Sequence, residues 1–189
     1  MYVIVGLGNP GADYAVTRHN VGQRVICQAS KNWAIPLVSH RLGDIGTGQL
    51  GLNPVTLVVP ATWMNLTGEV VQPLLTSVDH DTSNLIVVHD DLDLPVGRLR
   101  IKLGGGSGGH NGLRSIDASL GTNSYARVKI GIGRPDPGQD GANFVLSPFP
   151  VEDLAAIQKV VTTAVEALHC MVSEGIVVAM NDYNRRIAE

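Results

Sequence analysis

Apolar runs rich in β-branched residues alternate along the chain with stretches whose apolar positions recur every three or four residues. Met1–Leu7 is a continuous apolar run that predicts a buried strand, and Asn9-Pro10-Gly11 predicts a turn after it. Val21–Trp33 places Val21, Val25, Ile26, Ala29 and Trp33 at helical spacing. Val55–Val59 predicts a second buried strand, stopped by Pro60. Asn65–Val78 predicts a helix with Val70, Val71, Leu74 and Leu75 inward, interrupted by Pro73. Leu85–Val88 is a short buried strand that runs into an acidic cluster. Val96–Leu103 and Ala126–Ile132 alternate with period two, so each strand has one polar face. Between them Leu113–Leu120 is helical. Val151–Glu174, flanked by Pro150 and Gly175, predicts a long amphipathic helix, and Ile176–Ala188 a final short one. No repeat, linker or charge block divides the chain, so residues 1–189 are expected to form a single domain. The pattern predicts an α/β fold, a twisted mixed sheet flanked by helices. Sites in such sheets collect at the carboxyl ends of the strands.

Composition supports a folded chain: 44% of its 189 residues are hydrophobic and only 16% charged, which excludes a disordered segment. The mean hydropathy of +0.13 prompts a search for a membrane span. The longest apolar runs, such as Leu57–Ala61, fall far short of the roughly 18–20 residues a span needs. The opening Met1-Tyr2-Val3-Ile4-Val5 has no basic segment of the kind that begins a secretory leader. Cys27 and Cys170 lie far apart without metal-binding spacing, as expected of a cytoplasmic protein. The net charge of −3 points away from a polyanion partner, but its distribution does not. Residues 98–134 hold Arg98, Arg100, Lys102, Arg114, Arg127, Lys129 and Arg134 against Asp117 alone, a local +6 on a remainder of −9. Arg98, Arg100 and Lys102 share one face of a predicted strand, Arg127 and Lys129 share a face of another, and Arg134 follows. Segregation of this size is the footprint of polyanion binding. The loop from Gly104 to Gly112 lies between those strands and ends in a His110-Asn111 pair at a helix start. Glycine there lets backbone approach a ligand closely.

Candidate chemistry follows each strand. Gly6-Leu7-Gly8-Asn9-Pro10-Gly11 matches a dinucleotide-binding fingerprint, but a turn stands where that fingerprint needs a helix. Residues 24–36 also lack the ribose-binding carboxylate, so no cofactor is expected. Asn9, Tyr14, His19 and Asn20 share a polar loop, and His19 has the side chain of a general base. Trp63, Met64 and Asn65 follow the second buried strand. His89-Asp90-Asp91-Leu92-Asp93 could hold Mg²⁺, or could supply one carboxylate that orients a histidine. No nucleophile-elbow serine is present and neither cysteine has an activating neighbourhood, which leaves water as the nucleophile.

Taken together these segments resemble the bacterial-type peptidyl-tRNA hydrolase family, almost from end to end. The resemblance is carried by Val5-Gly6-Leu7-Gly8-Asn9-Pro10-Gly11 with Tyr14 and Thr17-Arg18-His19-Asn20, and by Met64-Asn65 with Gly68. His89-Asp90-Asp91-Leu92-Asp93-Leu94-Pro95, Lys102-Leu103-Gly104 and His110-Asn111-Gly112-Leu113 continue it. Arg127-Val128-Lys129-Ile130-Gly131-Ile132-Gly133 and Met180-Asn181-Asp182-Tyr183-Asn184 complete it. It implies a monomeric, metal-independent esterase that cleaves peptidyl-tRNA between the peptide and the terminal ribose, acting on chains that drop off or stall on the ribosome. By the same resemblance His19 would activate water, and Asp90 would orient it and stabilise its charged form. Asn9 and Asn65 would position the ester and peptide and stabilise the oxyanion, and Asn9 would separate blocked from free aminoacyl ends. Tyr14, Trp63 and Asn111 would contact substrate, and Met64 would line the cleft. Trp63 stands where the family often carries a smaller aromatic, and Asp91 replaces a frequent Glu. Arg98, Arg100, Lys102, Arg127, Lys129 and Arg134 are the candidates for tRNA phosphate contacts. Two other readings remain open at this point: a Mg²⁺-dependent phosphohydrolase using Asp90, Asp91 and Asp93, and a non-catalytic RNA-binding module.

Overall fold

The structure, a computed structural model, describes residues 1–77 and 81–185. Among the described residues seven strands form one sheet: β1 (Tyr2–Gly6), β2 (Val38–His40), β3 (Gly43–Leu50), β4 (Asn53–Pro60), β5 (Leu85–Asp91), β6 (Leu99–Leu103) and β7 (Ala126–Gly131). Their spatial order is β2-β3-β4-β1-β5-β7-β6. The four central strands run parallel, and β3 and β6 flank them antiparallel, so the sheet is mixed as the patterning predicts. The helices are α1 (Val21–Asn32), α2 (Gly68–Ser77), α3 (Asn111–Leu120), α4 (Gly141–Val145), α5 (Leu154–Ser173) and α6 (Ile176–Tyr183).

The alternation of side chains along the central strands builds two cores. Ile4, Leu57, Ile86, Val88, Val128 and Ile130 pack beneath α1 and α5. Val3, Val5, Val58, Leu85 and Val87 pack on the opposite face under α2 and α3. Among the described residues no helix is long and apolar enough to cross a membrane.

Several boundaries differ from the periodic reading. The β2–β3 hairpin was not expected, because Gly43, Gly46 and Gly48 give β3 little strand propensity. Two of those glycines answer a close crossing: a Cβ at Gly46 would lie 2.7 Å from the Pro36 carbonyl oxygen, and one at Gly48 2.6 Å from the Ile35 side chain. The helix expected from Asn65 begins instead with a 3-10 turn at Met64–Leu66 and continues as α2 with Pro73 inside it, while Val78 lies outside the described residues. β5 does not stop at Val88 but carries on through Asp91, still laddered to β7. β6 is shorter than expected, since Gly97 at φ 79° turns the chain before Leu99. The final helix ends at Tyr183, and the last part of its predicted span lies outside the described residues.

At its far end the sheet is closed by a side chain. Asn184, just after α6, donates from Nδ2 to the Ile101 carbonyl at 3.0 Å and accepts the Ile101 N–H on Oδ1 at 2.7 Å.

Candidate active site

Two glycines bring His19 to the sheet. A Cβ at Gly22, in the first turn of α1, would overlap the Val88 carbonyl oxygen, and one at Gly6 would overlap the Gly22 carbonyl oxygen. This pair lets the start of α1 lie directly on β1 and β5. His19 sits in the 3-10 turn Arg18–Asn20 that leads into α1, and so falls over the carboxyl end of β5. Its Nδ1–H donates to both carboxylate oxygens of Asp90, each at 2.9 Å. Both side chains are buried.

Asp90 has a second imidazole. His110 Nε2 lies 2.9 Å from Asp90 Oδ1, while His110 Nδ1 accepts the backbone N–H groups of Gly112 and Leu113 as the N-cap of α3. Amides can only donate, so the ring proton of His110 is on Nε2 and points at Asp90. Burial alone would raise the Asp90 carboxyl. The charges and hydrogen bonds of His110 and His19 outweigh it and hold the group well below the usual carboxylate range. Asp90 is therefore an anion that fixes the His19 proton on Nδ1 and leaves Nε2 as a free base. The sequence marked His110 only as part of a pair at a helix start. Its bond to Asp90 spans 20 residues and becomes visible only when the glycine loop folds back.

A second cluster adjoins this one. Asn9 accepts the Met64 N–H on Oδ1 at 2.9 Å, which turns its Nδ2 away as a free donor. Asn20 holds the Asn9 backbone from both sides, accepting its N–H and donating to its carbonyl, each at 2.9 Å. Tyr14 and the half-exposed Trp63 meet edge to face, with ring centroids 5.6 Å apart. Met64 is buried against α3, where a Cβ at Gly112 would lie 2.6 Å from its sulfur. Asn65 is exposed beside it. Asn111 is exposed too, and its Oδ1 accepts from Arg114 Nη2 at 2.6 Å, so its amino group is the part left for a ligand.

A cavity of about 340 Å³ opens from His19 and Asp90 along the glycine loop, bounded by His110, Asn111, Lys129 and α4. Asn9, Tyr14, Trp63, Met64 and Asn65 do not line it. They connect to it through Asn20 and the neighbouring His19.

The basic strands pair in register, Arg100 beside Lys129 and Lys102 beside Arg127. Like charges placed opposite one another cost stability, and the protein answers only half of this block. Lys129 pairs with Asp91, and Arg127 meets Asp117. No ion pair among the described residues involves Arg100 or Lys102, and both are exposed. Arg134 pairs with Asp93 in the open. The expectation that Arg127 contacts phosphate is corrected: it is 2% exposed, with its guanidinium turned inward under the glycine loop.

Asp90, Asp91 and Asp93 do not converge, since they face two histidines, Lys129 and Arg134 respectively. That dispersal removes the geometric basis for the Mg²⁺ reading. Ligating atoms of His19, Asp90 and His110 do lie within 4.8 Å of one another, close enough to share a metal ion. His110 cannot offer Nε2 to a metal, however, while its Nδ1 accepts from α3.

The profile of the family described as Peptidyl-tRNA hydrolase matches residues 3–189. A relative named peptidyl-tRNA hydrolase from Bacillus subtilis (strain 168) is 43% identical over 188 residues, covering 99% of this chain and 100% of its own. One of the same name from Geobacillus thermodenitrificans is 44% identical, covering 97% and 100%. The crystal structure of peptidyl-tRNA hydrolase from Acinetobacter baumannii superposes with a TM-score of 0.93 at 34% identity, covering 98% of this chain and 95% of that one. A crystal structure of a peptidyl-tRNA hydrolase in complex with N-propanol gives a TM-score of 0.95 at 33% identity, covering 100% and 97%.

Proposed function

The chain belongs to the peptidyl-tRNA hydrolase family, and from that premise we propose how its cleft hydrolyses the ester between peptide and terminal ribose. The observation that carries the reading is the bond from His19 Nδ1–H to both oxygens of an Asp90 already clamped by His110. Water held by His19 Nε2 attacks the ester carbonyl carbon and gives its proton to that nitrogen. The imidazolium is stabilised by Asp90. The negative charge that develops on the carbonyl oxygen is met by Asn9 Nδ2, which its bond to Met64 leaves free, and by the exposed Asn65. Collapse of the intermediate expels the ribose oxygen, which takes the proton from His19. The products are free tRNA and a peptide carboxylic acid, which loses its proton to solvent and leaves as the carboxylate.

Asn9, Asn65 and Asn111 hold the acyl chain through its backbone, which suits peptides of varied sequence because carboxamides donate and accept without choosing side chains. Tyr14 and Trp63 form an aromatic wall beside Asn9. The acceptor end of the tRNA lies along the glycine loop toward Arg100, Lys102 and Lys129, with Arg98 and Arg134 at the margin. The enzyme works as a monomer in the cytoplasm, a compartment consistent with Cys27 and Cys170 being thiols rather than halves of a disulfide.

Release of tRNA from N-acetyl-aminoacyl-tRNA tests this reading. His19→Ala is expected to lower turnover by about a thousandfold, within the range a general base contributes, and full turnover in that variant would exclude His19 as the base. A chelator is expected to leave the wild-type rate unchanged.

A further inference from the structure

One buried cation has no part in the reaction above. Arg127 Nη1 donates to the Gly106 carbonyl at 2.8 Å, and its Nη2 lies 3.4 Å from Asp117 Oδ1. The guanidinium rests 4.7 Å from the centroid of the Tyr125 ring. The Tyr125 hydroxyl donates to the same Asp117 oxygen at 2.6 Å. The Arg127 Nε is buried without a partner. Burying a guanidinium is costly unless its donors are met, so this placement is not one that packing favours.

What Arg127 holds is a loop that cannot hold itself. Gly104, Gly105, Gly108 and Gly109 have φ of +61°, +110°, +58° and +84°, a backbone that side chains rarely adopt. With almost no side chains the loop has little to pack. It is tied at its start by the Gly104 N–H to the Tyr125 carbonyl at 2.9 Å, and at its end by the His110 N–H to the Ser107 carbonyl at 3.0 Å. Arg127 ties the middle from beneath. The Lys102 ammonium lies against the loop: a Cβ at Gly105 would stand 2.7 Å from Lys102 Nζ. Lys102 and Arg127 are register partners on β6 and β7.

We propose that Arg127 is a positioning residue for the polynucleotide half of the substrate. By fixing the Gly106 carbonyl it sets the height of the glycine loop, and so the distance from the Lys102 ammonium, where a backbone phosphate docks, to His19, where the ester is cut. Its own charge is spent on the loop and Asp117 rather than on phosphate. The inference rests on the hydrolase reading of the cleft.

The test compares two substrates that carry the same N-acetyl-aminoacyl ester, one on whole tRNA and one on its three-nucleotide 3′ end alone. Arg127→Gln is expected to raise KM for the tRNA substrate about tenfold and to reduce the salt slope of its kcat/KM by about one, the signature of one lost phosphate contact. Both constants for the short substrate should stay within about twofold of wild type. Arg127→Lys keeps the charge but loses the fork, and should behave like Arg127→Gln. Asp117→Asn, which leaves Arg127 in place, provides a milder version if either variant folds poorly. Equal losses on both substrates, or an unchanged KM and salt slope in the folded variants, would overturn the proposal. A wild-type protein that cleaves neither substrate would instead refute the hydrolase reading itself.

Discussion

Three imidazoles surround Asp90, and each bonds to it in a different way. His19 donates to the carboxylate, His110 donates to it while capping α3, and His89 bonds through Nδ1 to the backbone carbonyl of Asp90 at 2.6 Å. Burial, followed by the nearby His110, pushes His89 down to about 3. In the unfolded chain a histidine titrates near 6.5. Between about 6.5 and 3 the unfolded state therefore binds a proton that the folded state refuses, and stability falls as pH drops through that window. The depressed Asp90 carboxyl adds to the same trend at lower pH, since its contribution is lost as pH falls below the ordinary carboxylate range. His89→Gln should flatten the decline in urea midpoint between pH 7 and pH 5, where one such group contributes up to about 1.4 kcal/mol per pH unit. Equal declines in the variant and wild type would contradict this. At this scale the pairing of His19 with Asp90 is legible, because the loop after the first apolar run and the acidic end of β5 both stand at carboxyl ends of neighbouring strands. Arg127 was misread because alternation along a strand tells which face a side chain takes but not what covers that face.

Among the elements, the position of α1 matters most for the chemistry. The Gly6–Gly22 contact seats the helix on the strands, and His19 reaches Asp90 only because the turn before α1 is carried with it. In the sequence Gly6 belongs to a nucleotide fingerprint, whereas its reason in the fold is packing against Gly22, 16 positions along the chain. Gly22→Ala should destabilise the fold by about 1–3 kcal/mol, as overpacking does, and should reduce turnover beyond the loss explained by unfolding. Urea denaturation together with single-turnover rates would show both, and wild-type values for each would argue against this account. Three of the four central strands, β1, β4 and β5, are readable as apolar runs, whereas β7 reads as an alternating strand although it too lies parallel in the centre. The β2–β3 hairpin is not readable, because two of its glycines serve Ile35 and Pro36, residues outside the strand itself. The extension of β5 through Asp91 was hidden for a related reason, since His89 and Asp90 are polar residues kept in a buried strand by the site they serve.

Across the whole molecule, a net charge of −3 conceals a division of labour within a basic block. Lys129 and Arg127 are answered by carboxylates, whereas Arg100 and Lys102 face solvent. Lys102→Ala is expected to raise KM for a tRNA substrate about fivefold and to flatten the salt dependence of kcat/KM by about one unit of slope, with kcat little changed. An unchanged slope would take Lys102 off the contact surface. Arg100 and Lys102 lie on β6, the last strand of the sheet, whose outer margin would otherwise present free N–H and C=O groups to any passing chain. Asn184 occupies the Ile101 pair of those groups with its own amide, much as a neighbouring strand would. A crowded cell is full of extended polypeptide, and this enzyme must admit some of it in order to free it from tRNA. One asparagine at the end of α6 helps ensure that the chains it meets are taken as substrates and not added as an eighth strand.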